Sequence, residues 1–127
     1  MRYILDTCTF LWRVLDDARF LPEVKAICLN PSARAHLSAA SVWKIVIKFQ
    51  LRKLQLPVSP DVLIHKECKR RNIQILPISE SIIYNLLTLN WQHKDPFDRL
   101  IVAQAKTDDL TLITPDHAMQ LYPVSTL

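Results

Sequence analysis

The sequence predicts an α/β fold in which helices flank a mainly parallel sheet of four or five strands. Three observations point there. Short apolar runs alternate with longer amphipathic stretches, the pattern of strands joined by crossover helices. Three aspartates stand where such runs end or a helix opens: Asp6 after Tyr3-Ile4-Leu5, Asp116 after Leu110 to Ile113 and Thr114, and Asp98 at the head of a helix-like stretch to Ala105. The chain also contains no glycine, which excludes phosphate-binding P-loops and glycine-rich dinucleotide loops. Turns must rely on Pro, Asn, Asp and Ser instead.

The elements follow in order. Arg2 to Leu5 reads as the first strand, 7–16 as a helix, and 22–30 as a second helix opened by Pro22. Arg34 to Leu37 is a second strand, and Ser38 precedes a helix over about 39–50. In that helix Val42, Ile45, Val46 and Phe49 keep the i, i+3, i+4, i+7 spacing of a buried stripe. Ser59-Pro60-Asp61 opens a helix to about Asn72, with Lys69, Arg70 and Arg71 suited to its negative end. The run Lys66 to Arg71 reads as a solvated helix end rather than a nucleic-acid contact. Ile73 to Leu76 is a third strand, Ser79-Glu80-Ser81 opens a helix to about Asn90, and 91–96 is a polar loop. Pro96 to about Thr107 is helical, Leu110 to Ile113 is a fourth strand, Asp116 to Leu121 a short helix, and 122–124 a last strand.

The length of 127 residues, half of them apolar, suits a single domain over 1–127. No run of about 18 apolar residues is present, and Asp6 interrupts the first apolar stretch too early for a signal peptide. A soluble cytoplasmic protein without a membrane partner is therefore expected. Three widely spaced cysteines, Cys8, Cys28 and Cys68, argue against a disulfide frame or a zinc knot. The histidines show no zinc-binding spacing, and His93 is expected to order the loop before Asp95. Phe10, Trp12 and Trp43 read as packing residues, some of which could face a partner's groove. A formal charge of +4 is compatible with a polyanionic partner without requiring one.

Carboxylates just past parallel strands gather at the sheet's carboxyl edge, where open α/β folds bind ligands. Three acids there repel one another, and a hard divalent cation with oxygen ligands is the usual remedy. Asp6, Asp98 and Asp116 are thus the candidate metal ligands and catalytic acids.

The chain resembles the PIN-domain family and, within it, the VapC-type toxins of bacterial toxin–antitoxin pairs. The residues that carry the likeness are Tyr3 to Thr7, Ser38 to Ile45, His93-Lys94-Asp95-Pro96-Phe97-Asp98-Arg99-Leu100 and Leu112 to Asp116. The resemblance implies a three-layer α/β/α fold and an endoribonuclease that uses Mg²⁺ or Mn²⁺ to cut RNA, often a tRNA or rRNA. It also implies an antitoxin partner and a homodimer. In such enzymes the metal is held by residues matching Asp6, Asp98 and Asp116; it acidifies a bound water and stabilises transition-state charge. Thr114 matches a supporting hydroxyl. Asp95 matches a further acid near the site and reads equally as an N-cap. Lys48, Arg52, Lys53 and Arg99 are the candidate phosphate contacts.

One position departs from the family. Lys44 stands where the family usually carries glutamate, changing the cleft from about −4 to about −2. Each close pair of unit charges contributes roughly 4 kcal/mol at an effective dielectric near 20, before solvent discounting. Lys44 shares a helix face with Ser41 and Lys48 and is expected to aim at Asp6 and Asp98. Three consequences stay open: weakened or lost cleavage in a natural variant, a substitution that makes a toxic protein tolerable to its host, or a lysine turned away or serving phosphate. The rival to the nuclease is a catalytically silent protein that binds antitoxin or RNA. A phosphotransfer fold with an aspartate nucleophile would need a second Asp where Cys8 stands.

Overall fold

A computed structural model describes residues 1–91, 93–124, 126 and 127; Gln92, in the expected 91–96 loop, and Ser125 lie outside the described residues. The elements are β1 (Arg2–Leu5), α1 (Thr7–Val14), α2 (Pro22–Leu29), β2 (Arg34–Ser38), α3 (Ala39–Gln50) and α4 (Pro60–Arg71). There follow β3 (Ile73–Leu76), α5 (Glu80–Asn85) with a 3₁₀ turn at Leu86–Thr88, α6 (Pro96–Thr107), β4 (Thr111–Ile113) and α7 (His117–Gln120).

The four strands form one parallel sheet in the order β3-β2-β1-β4. Side chains alternate across it as the pleat requires. Tyr3, Leu5, Leu37 and Ile113 face one buried cluster, which includes Phe10 of α1, Ile45 of α3 and Ile64 of α4. Ile4 and Leu112 face the other, with Ile101, Val102 and Ala105 of α6 and Met119 of α7. Helices therefore cover both faces, giving the expected three-layer α/β/α sandwich. Because β1 is buried on both sides, its apolar run is continuous rather than alternating.

The helix starts are built by side-chain caps at the carboxyl edge. Asp6 caps α1 by accepting from Thr9 N (2.8 Å). Ser38 caps α3 through Ala40 N (3.0 Å). Asp95, ahead of Pro96, caps α6 through Phe97 N (2.8 Å) and Asp98 N (3.3 Å). Asp116 caps α7 through Ala118 N and Met119 N. Each cap satisfies backbone donors that the first helical turn leaves unpaired.

The helix ends show how the chain manages without glycine. Asp16, Arg52, Asn72 and Asp109 take positive φ values of 52–57° just past α1, α3, α4 and α6. Long-reach closing bonds accompany three of them: Asp17 N to Trp12 O, Lys53 N to Lys48 O and Leu110 N to Ala105 O, each 2.8–2.9 Å. This is the Schellman geometry, in which glycine usually occupies the left-handed position. Asp and Asn tolerate that region; an arginine does so at greater cost.

Two expectations require correction. The final strand does not occur at 122–124, where Val124 N instead bonds back to Tyr122 O (2.8 Å). Parallel pairing with β4 comes later, as a bridge between Leu112 and Thr126, with Leu127 N donating to Leu112 O (2.9 Å). The helix expected to reach Asn90 ends at Asn85 and tightens into the 3₁₀ turn. Among the described residues no helix is long and apolar enough to cross a membrane.

Arg52→Asn should raise unfolding stability by roughly 0.5–1 kcal/mol, because Asn enters the left-handed region more readily. Urea denaturation of the two proteins checks this; a loss of stability would show that the Arg52 side chain contributes more than its backbone costs.

Candidate active site

Asp6 follows β1, Asp116 follows β4, and α3 and α6 both begin at the same carboxyl edge, so their first turns border one cleft. Asp6, Asp95, Asp98 and Asp116 meet there in unequal surroundings.

Asp6 is the deepest, only 3% exposed. Its Oδ1 accepts from Thr9 N, and its Oδ2 accepts from the Thr114 hydroxyl at 2.6 Å. Thr114 thus ties β4 to the end of β1, and the same hydroxyl oxygen accepts from Asp116 N (3.0 Å). The Cys8 thiol donates to both Asp6 oxygens at 3.5 Å. Burial, followed by the adjacent Asp6 charge, pushes that thiol up to about 12, so Cys8 is no thiolate nucleophile.

Asp98 lies between two donors. Its Oδ1 faces Lys44 Nζ at 3.6 Å, and its Oδ2 faces His93 Nε2 at 3.1 Å. His93 Nε2 also reaches Asp116 Oδ2 at 3.0 Å. The other ring nitrogen, Nδ1, accepts from Asp95 N–H at 3.0 Å. The ring proton therefore sits on Nε2, which donates to the two carboxylates. His93 does order the loop before Asp95, and it also bridges two acids. The sequence carries that second role only in the spacing between His93 and Asp98. Among the described residues, the donor atoms of His93, Asp98 and Asp116 lie within 4.8 Å of one another. Asp6 is not in that group.

Lys44 enters from the second turn of α3. Its ammonium bonds Asp95 Oδ2 at 2.6 Å, with Asp98 its second partner. It is therefore not turned away from the acids, and its first partner is Asp95 rather than Asp6. Asp95 is the N-cap of α6 through Oδ1, while its Oδ2 holds Lys44. Ser41 packs one turn earlier and accepts from the Thr7 hydroxyl (2.9 Å).

The protonation tendencies follow this wiring. Burial pushes Asp98 up; Lys44 opposes and Asp95 adds to the rise, leaving its carboxyl above the usual range. Burial also works against the Asp95 carboxylate, but the Lys44 bond and the α6 amides outweigh it and hold Asp95 below that range. For Asp116 the His93 bond and the α7 amides likewise overcome burial, again lowering it. Lys44 loses solvation on burial, yet its two carboxylates keep it more firmly protonated than an ordinary lysine.

The proposed phosphate contacts divide. Lys48 and Arg52 are exposed beyond Lys44 along and after α3. Arg99 is buried: its guanidinium donates to the carbonyls of Leu86 (3.3 Å) and Leu89 (3.2 Å) and lies 3.8 Å from the Trp91 ring centre. One residue past Asp98 the helix has turned away from the cleft, so Arg99 serves as a structural clamp and not as an RNA contact. Phe10 is fully buried, whereas Trp43 is 60% exposed and meets Phe97 edge-on at 4.9 Å.

The grouped donors, two carboxylate oxygens of Asp98 and Asp116 and one imidazole nitrogen of His93, are of types that a divalent cation accepts. Lys44 lowers the negative charge available to it. Replacing Lys44 with Met should therefore destabilise the protein at neutral pH by roughly 1–3 kcal/mol, since it strips a charged hydrogen bond from Asp95. The depressed Asp95 carboxyl contributes stability above its unfolded value near 3.9 and loses it as pH falls through the lower folded value. The raised Lys44 contributes below about 10.4 and loses it as pH rises through the folded value. The deficit of the variant should thus be full between about pH 4 and 10 and shrink on acidification below the unfolded value near 3.9; urea unfolding at pH 7 and about pH 3 checks it.

Comparison with known proteins agrees with this architecture. The PIN domain family model matches residues 3–124. No curated protein matches the chain by sequence. Among solved structures, the chain is similar to VapBC2 from Rickettsia felis bound to a promoter DNA fragment, with TM-score 0.73 and 14% identity over 100% of this chain and 98% of that one. It is also similar to VapBC-1 from nontypeable Haemophilus influenzae (TM-score 0.65, 17% identity, 100% and 97% covered). A third likeness is to FitAcB from Neisseria gonorrhoeae (0.61, 21%, 100% and 96%). At these identities the structural matches show a common fold, and with the family model covering nearly all residues, the chain belongs to the PIN-domain family.

Proposed function

We propose that this protein is the toxin of a toxin–antitoxin pair, an endoribonuclease dependent on Mg²⁺ or Mn²⁺ whose cleavage is restrained by Lys44. The observation that carries this reading is the convergence of Asp98, Asp116 and His93 at the carboxyl edge of a PIN fold, with buried Asp6 joined to Asp116 through the Thr114 hydroxyl. Asp6, Asp98 and Asp116 would hold the cation. When bound, it supplies Lewis acidity for activating water and offsets charge on the scissile phosphate. Thr114 and Thr9 fix the Asp6 carboxylate, and the two Asp95 oxygens hold α6 and Lys44 in place. Lys48 on α3 and Arg52 just after it, both exposed, would meet the RNA backbone.

An antitoxin is the expected protein partner. A mainly apolar groove of about 490 Å³, lined by residues including Trp12, Phe20, Leu21, Val24, Pro115 and Leu127, has the character that an inserted peptide needs. Action on RNA in the cytoplasm as a homodimer completes the reading.

The Lys44–Asp95–Asp98 ion pairs favour one alternative, a protein that keeps antitoxin or RNA binding without cutting. RNA cleavage in Mn²⁺ and in Mg²⁺ separates the two. Lys44→Glu should increase cleavage at least about tenfold, equivalent to about 1.4 kcal/mol of barrier. Adding Asp98→Asn to Lys44→Glu should then cut the rate by on the order of 10²-fold. Silence of both the unmodified protein and Lys44→Glu, on total RNA and on tRNA, would favour the binding protein.

A further inference from the structure

A polar pocket of about 370 Å³ lies between the end of α1, α2 and the end of α4, with Arg13, Asp16, Lys25, Arg70 and Arg71 in its walls. Helix α1 leaves the carboxyl edge at Asp6, and α4 ends just before β3 starts. The pocket therefore borders the amino edge of the sheet, opposite the acidic cleft.

Its charge is unbalanced. Arg13 is 8% exposed, and its Nη1 is sealed from solvent with no hydrogen-bond partner among the described residues. The Tyr3 phenol lies against the Arg13 guanidinium and can accept from it, but burial keeps the phenol protonated, so it offers no counter-charge. The ion pairs of the described residues include neither Arg13 nor Lys25. Arg70 and Arg71 share one carboxylate, Glu67, at 3.5 and 2.9 Å. Four cations thus face two acids, Asp16 and Glu67. Buried cations are normally paired, and leaving a guanidinium N–H without an acceptor is costly.

We propose that this pocket binds a phosphate group, with Arg13 as the buried anchor and Lys25, Arg70 and Arg71 at the rim. Phosphate offers several charged acceptors to planar guanidinium forks and to a flexible ammonium at once. A single carboxylate offers fewer acceptors, and Glu67 already supplies one. The site is separate from the acidic cleft and does not depend on whether that cleft cuts RNA. It also changes the meaning of the basic end of α4, whose last two arginines border a cavity rather than open solvent alone.

Titration with inorganic phosphate at constant ionic strength, followed by NMR of arginine side-chain N–H signals, tests the proposal. A 5′-phosphorylated RNA tetranucleotide in metal-free buffer forms a second arm. The Arg13 signal should shift saturably. The double variant Lys25→Ala, Arg70→Ala, altered only at exposed positions, should weaken binding at least fivefold. Tighter binding of the tetranucleotide than of phosphate would identify nucleic acid as the source of the group; equal binding would identify the free ion. An Arg13 signal that does not saturate, or equal affinity in the double variant, overturns the proposal. So does binding of an oligoglutamate peptide where phosphate does not bind.

Discussion

Asp98 sits with a cation-bearing side chain on one side and an imidazole donor on the other, and the arrangement of the cleft depends on that balance. The fold directs Asp6, Asp95, Asp98 and Asp116 toward one edge, where their mutual repulsion opposes folding. Lys44 and His93 offset part of it from within the chain. The lysine joins Asp95 to Asp98, the histidine joins Asp98 to Asp116, and Asp98 is the shared member. Burial alone would favour a protonated Asp98, and Lys44 draws it back toward the carboxylate.

The sheet makes this convergence unavoidable. Parallel pairing of β1 with β2 and β4 sets three strand ends side by side, and each is followed by a side chain that caps the next helix. The same aspartates therefore begin helices and furnish the acids. A cap oxygen on one side of the carboxyl group leaves the second oxygen free for the cleft, as Asp95 and Asp116 both show. Arg99 locks the base of α6 to the turn after α5, which fixes the direction in which Asp98 emerges.

Much of this was legible in the chain because it rests on local rules. Apolar runs set the strands, Pro and Ser/Asp marked helix starts, and acids after strands marked the edge. What was not legible depended on distance in space. Nothing in the spacing of Arg99 reveals that its guanidinium would find the Leu86 and Leu89 carbonyls. Lys44 could be placed on a helix face, but its choice of Asp95 over Asp6 required the packing of α3 against α6. The displaced pairing at Thr126 reflects how weak a strand signal a few residues carry.

The absence of glycine reaches beyond the helix ends. A chain without it has fewer backbone states when unfolded, so it surrenders less freedom on folding. The left-handed aspartates, asparagine and arginine give back part of that advantage as native strain. Beside the cleft, Pro96 and Pro115 flank its acids and fix φ at those two positions. For the polymeric substrate proposed above, the fixed backbone beside Pro96 and Pro115 would make the shape of the opening part of what selects it.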